Sequence, residues 1–482
     1  MSGPRIVILG AGMSGLCMGV QLARAGIRSF TILERSSHLG GTWWDNTYPG
    51  AQCDVRSHLY AFSFAPNPDW SRVFAPQREI LAYMERVAER WSLLDHMRFD
   101  TELAAAHFDA TRGCWNLRTA GGDELEADVL VCSTGPLSEP RWPDISGLES
   151  FGGKLMHTAR WDRTFDVVGK SVAVIGTAAS AVQIIPEIAP RVRRLHVFQR
   201  TPNWIVPRPD RAYRAWERAL SRVPPFGRLR RWYHYWLHER NRLGFNRGTR
   251  MAQLVEAFAQ RHLRSQVADP ALAAQLMPAY PLGCKRVLLS NDYYPALTRS
   301  NVELVVDPIA AIDRDGVVTS DGRMRPVDAI VCATGFDTLH PLGSVDVRGL
   351  SGTALASVWR AAPHAYHGVA VAGFPNLFLL LGPNTGTGHT STLLYIEPQV
   401  RYVIRALREL QSRKCSWLAV RQEVMDNHNR ALQARLSTTV WAGPCTSWYK
   451  NATGTVAAIF PGYSFEYTRA LRRLGFEGYD FG

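Results

Sequence analysis

Short apolar blocks and helical apolar stripes follow one another in an order that occurs twice along the chain. Residues 5–34, RIVILGAGMSGLCMGVQLARAGIRSFTILE, run a block of β-formers into a glycine loop, then a helical stripe, then a second short block, FTIL. Residues 171–201, SVAVIGTAASAVQIIPEIAPRVRRLHVFQRT, repeat that order. Each unit is closed by an apolar strand ending in a Thr-Gly turn, ADVLVCSTG (127–135) in the first and VDAIVCATGFD (327–337) in the second. Uninterrupted apolar runs of this length read as strands buried on both faces, as in a parallel sheet covered by helices. After the second unit closes at about 337, GFPNLFLLLGPNTGTGHTS (373–391) resumes the strand-then-glycine-loop character of the first. The pattern predicts an α/β protein in which the second unit is inserted into the first.

The loops say what the units hold. Gly10 permits a tight turn, Gly12 lets a pyrophosphate approach the backbone, and Gly15 lets the helix pack on the strand. Phosphates belong at the positive N-terminus of the helix that follows. Glu34 ends the second strand, 24 residues after Gly10, where a carboxylate accepts hydrogen bonds from ribose hydroxyls. The same count from Gly176 reaches Arg200. A carboxylate there would repel a 2′-phosphate, whereas a guanidinium binds it through a planar fork. The first unit therefore suits FAD or NAD and the second NADPH, with Thr177 and Ser180 in its loop facing the coenzyme. The middle glycine of the second loop is replaced by Ala178, whose methyl crowds the pyrophosphate approach. The predicted class is two dinucleotide-binding Rossmann-like domains divided at 1–148, 149–208, 283–345 and 346–482, with a helical insert at 209–282.

In that insert Tyr213, Trp216, Leu220 and Val223, then Leu229, Trp232 and Trp236, recur at three or four residues, with a break expected at Pro224, Pro225 and Gly227. Its arginine-rich face could touch anionic lipid; the favoured reading is packed helices with a solvated basic face. The longest apolar run, 368–382, is too short and too interrupted to span a bilayer. Strand-like RIVILGAG follows Met1 so closely that no signal peptide is expected.

A net charge of +13 asks for anionic partners, but the arginines are dispersed and accompany no nucleic-acid recognition motif. The eight cysteines show no CxxC and no metal-ligand spacing. They are expected to be free thiols in a reducing cytoplasm.

Two longer motifs carry the chemistry. FGGKLMHTARWD (151–162) fits F-x-G-x-x-x-H-x-x-x-W-[P/D] at Phe151, Gly153, His157, Trp161 and Asp162. GGTWWDNTYPGAQCD, from Gly40 to Asp54, fits G-G-x-W-x-x-x-x-Y-P-G-x-x-x-D. With the two dinucleotide loops, the chain resembles the type I Baeyer–Villiger monooxygenases, within the class B flavin-dependent monooxygenases, over essentially its whole length. The resemblance assigns FAD to the first unit and NADPH to the second. It implies an enzyme that inserts one oxygen atom of O2 beside a ketone carbonyl, through a C4a-peroxyflavin, to give an ester or lactone.

It also implies site residues. Arg286, in GCKR (283–286), corresponds to the family's active-site arginine and Asp54 to the carboxylate that orients it. A cation there favours the peroxyanion and the developing oxyanion. Without the motif match, the two would read equally well as a structural ion pair. Thr42, Trp43 and Tyr60 resemble flavin contacts. Lys285 and Thr201 join Arg200 around the NADPH phosphate, and Trp448 resembles a lid residue over the nicotinamide. His157 reads as a hinge just ahead of the second unit, where a linker would run and the adjoining glycines would bend, rather than as a proton carrier. A substrate pocket is expected where the insert, GCKR and the Trp448 loop meet. The rival readings are a flavin monooxygenase acting on sulfur or nitrogen, an NADPH oxidase or disulfide reductase, and a flavin-bound redox sensor.

Overall fold

The computed structural model describes residues 3–338, 342–451 and 453–482. Two parallel five-stranded sheets organise it. In the first, the order from edge to edge is Leu377–Leu379, Val129–Cys132, Ile6–Leu9, Phe30–Leu33 and Met97–Arg98. In the second it is Lys154–His157, Ala329–Cys332, Ser171–Ile175, Arg194–Phe198 and Val302–Val305. Ile6–Leu9 and Ser171–Ile175 lie centrally and are buried throughout, as their unbroken apolar runs require.

The two sheets share one plan. A central strand, a glycine turn and a helix (Met13–Arg24 or Ala179–Ile188) lead to the next strand outward. An antiparallel excursion then precedes the strand that ends in Thr-Gly: Leu103–Asp109, Cys114–Thr119 and Glu124–Ala127 in the first unit, Ile309–Asp313, Gly316–Thr319 and Met324–Pro326 in the second. Leu377–Leu379 returns to the first sheet only after every strand of the second has been laid down.

The structure alters two expectations. FGGKLMH is not a linker: Lys154–His157 is an edge strand of the second sheet, in parallel register with Ala329–Cys332. Its glycines serve close approach rather than bending, since a Cβ on Gly153 would lie 2.6 Å from the Asp328 carbonyl oxygen. The insert is helical at Ala215–Arg222, Pro224–Arg240, Arg250–Gln266 and Pro270–Gln275. Pro224 and Pro225 occupy the first turn of a helix, where no N–H is needed, and Gly227 lies inside it rather than breaking it. The stripe seen in the sequence is present, but its face is reversed. Tyr213 is buried, whereas Trp216, Val223, Leu229, Trp232 and Trp236 are exposed.

Candidate active site

The first loop is set by backbone contact. Gly10 is left-handed at φ +95°, as the turn out of the strand requires. A Cβ on Gly15 would lie 1.9 Å from the Gly10 carbonyl oxygen, so helix and loop touch through bare backbone. At Gly12 a Cβ would meet nothing nearer than Gly41 Cα at 3.9 Å, which leaves an open notch. The Met13–Arg24 helix starts there without a side-chain cap, leaving its first N–H groups to an outside acceptor. Glu34 is buried at the strand end; its oxygens accept the Ala11 N–H at 2.7 Å and the Ser36 N–H at 2.9 Å. It thus fastens the loop it was expected to serve, and each oxygen keeps a second lone pair.

The Gly40–Asp54 motif runs from that loop to the second unit. Gly41 packs on Gly12, Thr42 opens the short helix Thr42–Asp45, and Trp43 Nε1–H donates to the Tyr60 hydroxyl at 3.0 Å. The Tyr48 hydroxyl donates to Gln183 Oε1 at 2.9 Å, and Gln183 Nε2 returns a bond to the Gln52 carbonyl at 3.0 Å. Gln183 belongs to the Ala179–Ile188 helix, so this motif spans both units.

The second loop keeps the turn and changes the notch. Gly176 is left-handed at φ +111°. Ala178 has φ −83° and ψ −162°, close to the −77° and −170° of Gly12, so its methyl stands where the first loop is open. The position equivalent to Gly15 is Ala181, fully buried, which the sequence reading passed over although a count of five from Gly176 reaches it. The helix therefore cannot press on this loop as the first helix does on Gly10. The Thr177 hydroxyl donates to the Thr201 carbonyl at 3.1 Å, and Asn203 Nδ2–H donates to the Thr177 carbonyl at 3.0 Å. Ser180 stands in the first turn of a helix that again lacks a side-chain cap. Arg200 is exposed just beyond its strand. Burial and the Arg200 guanidinium hold the Lys285 ammonium below its usual value, and among the described residues no carboxylate opposes them. Two neighbouring cations of this kind make the local potential positive.

Between the units, Arg286 donates from Nε at 2.9 Å and from Nη2 at 2.6 Å, both to Oδ2 of Asp54. The side chains are 30% and 32% exposed, so the pair lies at a cleft rather than in sealed core. Burial works to raise the Asp54 carboxyl, but Arg286 and the nearby Arg208 outweigh it and hold the group below the usual carboxylate range. Asp54 in turn pushes the guanidinium further up. Both bonds to Asp54 come from Nε and Nη2, so Nη1 stands outside that pair. Three neighbours were not singled out in the sequence. Arg208 is buried, donates to the Cys53 carbonyl at 2.7 Å and lies over the Phe74 ring. Tyr449 is fully buried, its phenol pushed up to about 12 by burial, with Arg286 acting on it. His238 donates from Nδ1 to the His389 carbonyl at 3.1 Å, with Nε2 buried and unpartnered. Trp448, which was singled out, is 38% exposed and packs on Tyr449 at 4.4 Å. A WY pair with one ring out and one in was the available signal for Tyr449.

His157 is fully buried at the end of its strand. Its Nδ1 accepts the Ala159 N–H at 3.1 Å, and the rings of Trp142 and Phe336 flank it. Burial lowers it to about 4, so it is neutral at ordinary pH. Phe151 packs under the second sheet and Trp161 on its other apolar cluster. Asp162 caps the following turn through Thr164 and accepts from Lys154 Nζ at 2.5 Å. Arg160, within the fingerprint, pairs with Asp45 at 3.4 Å and so reaches the end of the Thr42–Asp45 helix.

The thiol expectation is corrected at this site. Cys284 and Cys445 form a disulfide, with Cα atoms 6.2 Å apart, and the other six cysteines are free. The two partners lie 161 residues apart, a pairing that spacing alone does not reveal. The bond ties GCKR to the segment bearing Trp448 and Tyr449. The insert joins them through Phe245, which lies against Gly283 and stacks on Trp441. The three predicted pocket walls thus meet.

The flavin-binding monooxygenase-like family matches residues 3–229. A Baeyer–Villiger monooxygenase of Streptomyces coelicolor is 44% identical over 98% of this chain and 92% of its own. One from Pseudomonas aeruginosa is 42% identical over 97% and 89%. Among solved structures, an oxidised steroid monooxygenase bound to NADP superposes with a TM-score of 0.89 at 31% identity, covering 99% of both chains. A cyclohexanone monooxygenase from Rhodococcus sp. Phi1 bound to NADP+ gives 0.90 at 27% identity, over 100% of this chain and 99% of that one.

Proposed function

The chain belongs to the Baeyer–Villiger monooxygenases of the flavin-binding monooxygenase-like family, and on that premise we propose that Arg286, fixed by Asp54, is its catalytic cation. It is an FAD- and NADPH-dependent flavoprotein monooxygenase that inserts one oxygen atom of O2 beside a ketone carbonyl, giving an ester or lactone.

The residues present fit both cofactors. The open notch at Gly12 and the uncapped helix behind it suit a pyrophosphate, and Glu34 suits a ribose; with Thr42, Trp43 and Tyr60 they would hold FAD. Gly176, Ser180, Arg200, Thr201 and Lys285 would hold NADPH, the two unopposed cations taking its 2′-phosphate. Thr177, its hydroxyl already bonded to Thr201 and Asn203, shapes that loop. Bound FAD supplies hydride uptake from NADPH and the activation of dioxygen.

One observation carries the assignment of Arg286. Both of its bonds to Asp54 go to a single oxygen, which fixes the guanidinium plane while leaving Nη1 for a third partner. That N–H is a permanent donor, since arginine does not lose its proton. Aimed at the ketone oxygen, it stabilises the negative charge that develops as the carbonyl is attacked. Asp54 is a positioning residue. Tyr449, fully buried, and the disulfide-tied segment wall the cleft in which the pair lies. The substrate class is an apolar ketone, admitted between Phe245, GCKR and the Trp448 segment. Among the described residues no helix is long and apolar enough to cross a membrane. The reading places the enzyme in the cytoplasm, which its six free cysteines suit.

The test is Arg286→Ala with a ketone panel and mass analysis of products. FAD content and flavin bleaching by NADPH should stay near wild type, while ester formation falls by about 10²–10³-fold or more and NADPH is spent on hydrogen peroxide. Ester formation within a few-fold of wild type would remove the assignment. Asp54→Asn should give a milder version with a shifted pH profile, partly rescued by Asp54→Glu.

A further inference from the structure

The helices of the insert face the wrong way for a water-exposed surface. Along Pro224–Arg240 the side chains turned inward include Arg231, His234, His238 and Glu239, with Tyr235 the aromatic that packs on the core. Those turned outward include Phe226, Leu229, Trp232 and Trp236, which are 47% to 59% exposed and recur at three- and four-residue spacing on one face. The preceding helix repeats the inversion, with Glu217 and Ser221 buried and Trp216 59% exposed. The polar side is committed inward: Arg231 donates to the carbonyls of His58 and Ala61 at 3.0 and 2.7 Å, and Glu239 accepts from the Ser464 hydroxyl at 2.7 Å. Rotating the helix to bury its rings would strand those charges.

The charge around the stripe has one sign. Residues 211–250 hold eleven arginines and two carboxylates, Glu217 and Glu239, and both carboxylates are buried. At the rim, the Trp236 ring meets Phe465 at 6.2 Å. There a cleft of about 820 Å³ opens, lined by Arg401, Arg469, Arg472 and Arg473. Arg401 has Glu397 at 3.7 Å; among the described residues no carboxylate lies within ion-pair reach of the other three.

We propose that this face docks on the headgroup layer of an anionic lipid bilayer, with the aromatic stripe at the acyl boundary and the arginine cleft around lipid phosphate. Tryptophan, leucine and phenylalanine flanked by arginine are what an interfacial helix presents, and such docking needs no spanning segment. A second copy of the chain suits the surface poorly, because an isologous contact would set arginines against arginines. The reading stands apart from the oxygenation chemistry and is measured without it.

The FAD-loaded full chain is floated with vesicles of phosphatidylcholine alone or with about one-third phosphatidylglycerol. Binding should be roughly tenfold stronger or more to the anionic vesicles and should weaken with salt. It should fall about tenfold in Trp232→Ser/Trp236→Ser. Arg469→Gln/Arg472→Gln/Arg473→Gln should lose the preference for phosphatidylglycerol. FAD content and NADPH bleaching check that each variant is folded. If the tryptophan variant misfolds, quenching of wild-type tryptophan emission by brominated lipid takes its place. Three results overturn the proposal: no binding or quenching with anionic vesicles, binding that both folded variants retain, or a dimer in light scattering that the tryptophan variant splits while vesicle binding is absent.

Discussion

At the mouth of the first parallel sheet the dinucleotide loop carries three glycines; at the mouth of the second, two of the three positions are alanines. Both loops turn through a left-handed glycine into an uncapped helix. Beyond that, the two loops are built by different means. The first relies on close approach: Gly15 lets the helix touch the loop, Gly12 leaves a notch, and Glu34 pins the loop through Ala11. The second has given up that fit and gathers charge instead, in Arg200 and Lys285. Tight backbone contact suits a flavin that stays through many turnovers. Charge at the rim suits a coenzyme that must come and go, because it recognises the phosphate without enclosing it.

The sharpest way to break this comparison is to exchange the third loop residue. Gly15→Ala puts a methyl 1.9 Å from a backbone oxygen, which only a shift of helix or loop can relieve. Such overpacking costs about 1–3 kcal/mol or more, here at the cofactor itself. Purified Gly15→Ala should be nearly colourless at 450 nm, with under about one-tenth of the wild-type FAD. Ala181→Gly, the mirror change, should leave FAD content unchanged and cost no more than about 1 kcal/mol through the added helix freedom. FAD retained by Gly15→Ala would show that the first loop is no tighter than the second.

Arg200→Gln tests the charge half of the comparison. Losing one charge-assisted contact of about 1.5–3 kcal/mol should raise the KM for NADPH roughly 10–100-fold. The KM for NADH should hardly move, and FAD content should not change. Equal effects on both coenzymes would mean that Arg200 shapes the loop rather than reading a phosphate. Ala178→Gly should be smaller: removing the methyl from the notch should lower the KM for NADPH by a few-fold at most, by steady-state kinetics.

The repeated plan was legible because parallel strands announce themselves by continuous apolar runs, and because glycines with φ above +90° tolerate no substitute. Asp54 and Arg286 meet in the structure, yet 232 residues separate them and only their motifs linked them in the sequence. What stayed hidden were residues defined by their surroundings. Arg208 and His238 matter because they are buried beside Asp54, and many unburied arginines and histidines look the same in sequence. The fingerprint read as a linker because KLMH is too short to announce an edge strand. In the insert the period of the stripe was right and its direction wrong, since periodicity fixes which residues share a face but not what that face meets.

Acid should separate the two sheets by a smaller margin. The strands of the first sheet carry no histidine, whereas the second carries His157 and His196. Burial lowers His157 to about 4. Burial also lowers His196, against the pull of Glu303 at 2.9 Å. Each is therefore depressed below its unfolded value of about 6.5. The unfolded chain takes up a proton that the folded chain refuses, so the stability is fully present above about pH 6.5 and is lost as pH falls toward 4. For one histidine the slope is at most about 1.4 kcal/mol per pH unit. Protonating His157 also ends its acceptance of the Ala159 N–H. Protection factors from hydrogen exchange at pH 7 and 5 should fall more for Ser171–Ile175 than for Ile6–Leu9. In His157→Phe that difference should shrink by about 1–2 kcal/mol. Other buried histidines, such as His58, His234 and His238, set a common acid slope that wild type and variant share. If His157→Phe leaves the difference between the sheets untouched, His157 is not what makes the second sheet acid-labile, and His196 with Glu303 becomes the group to change.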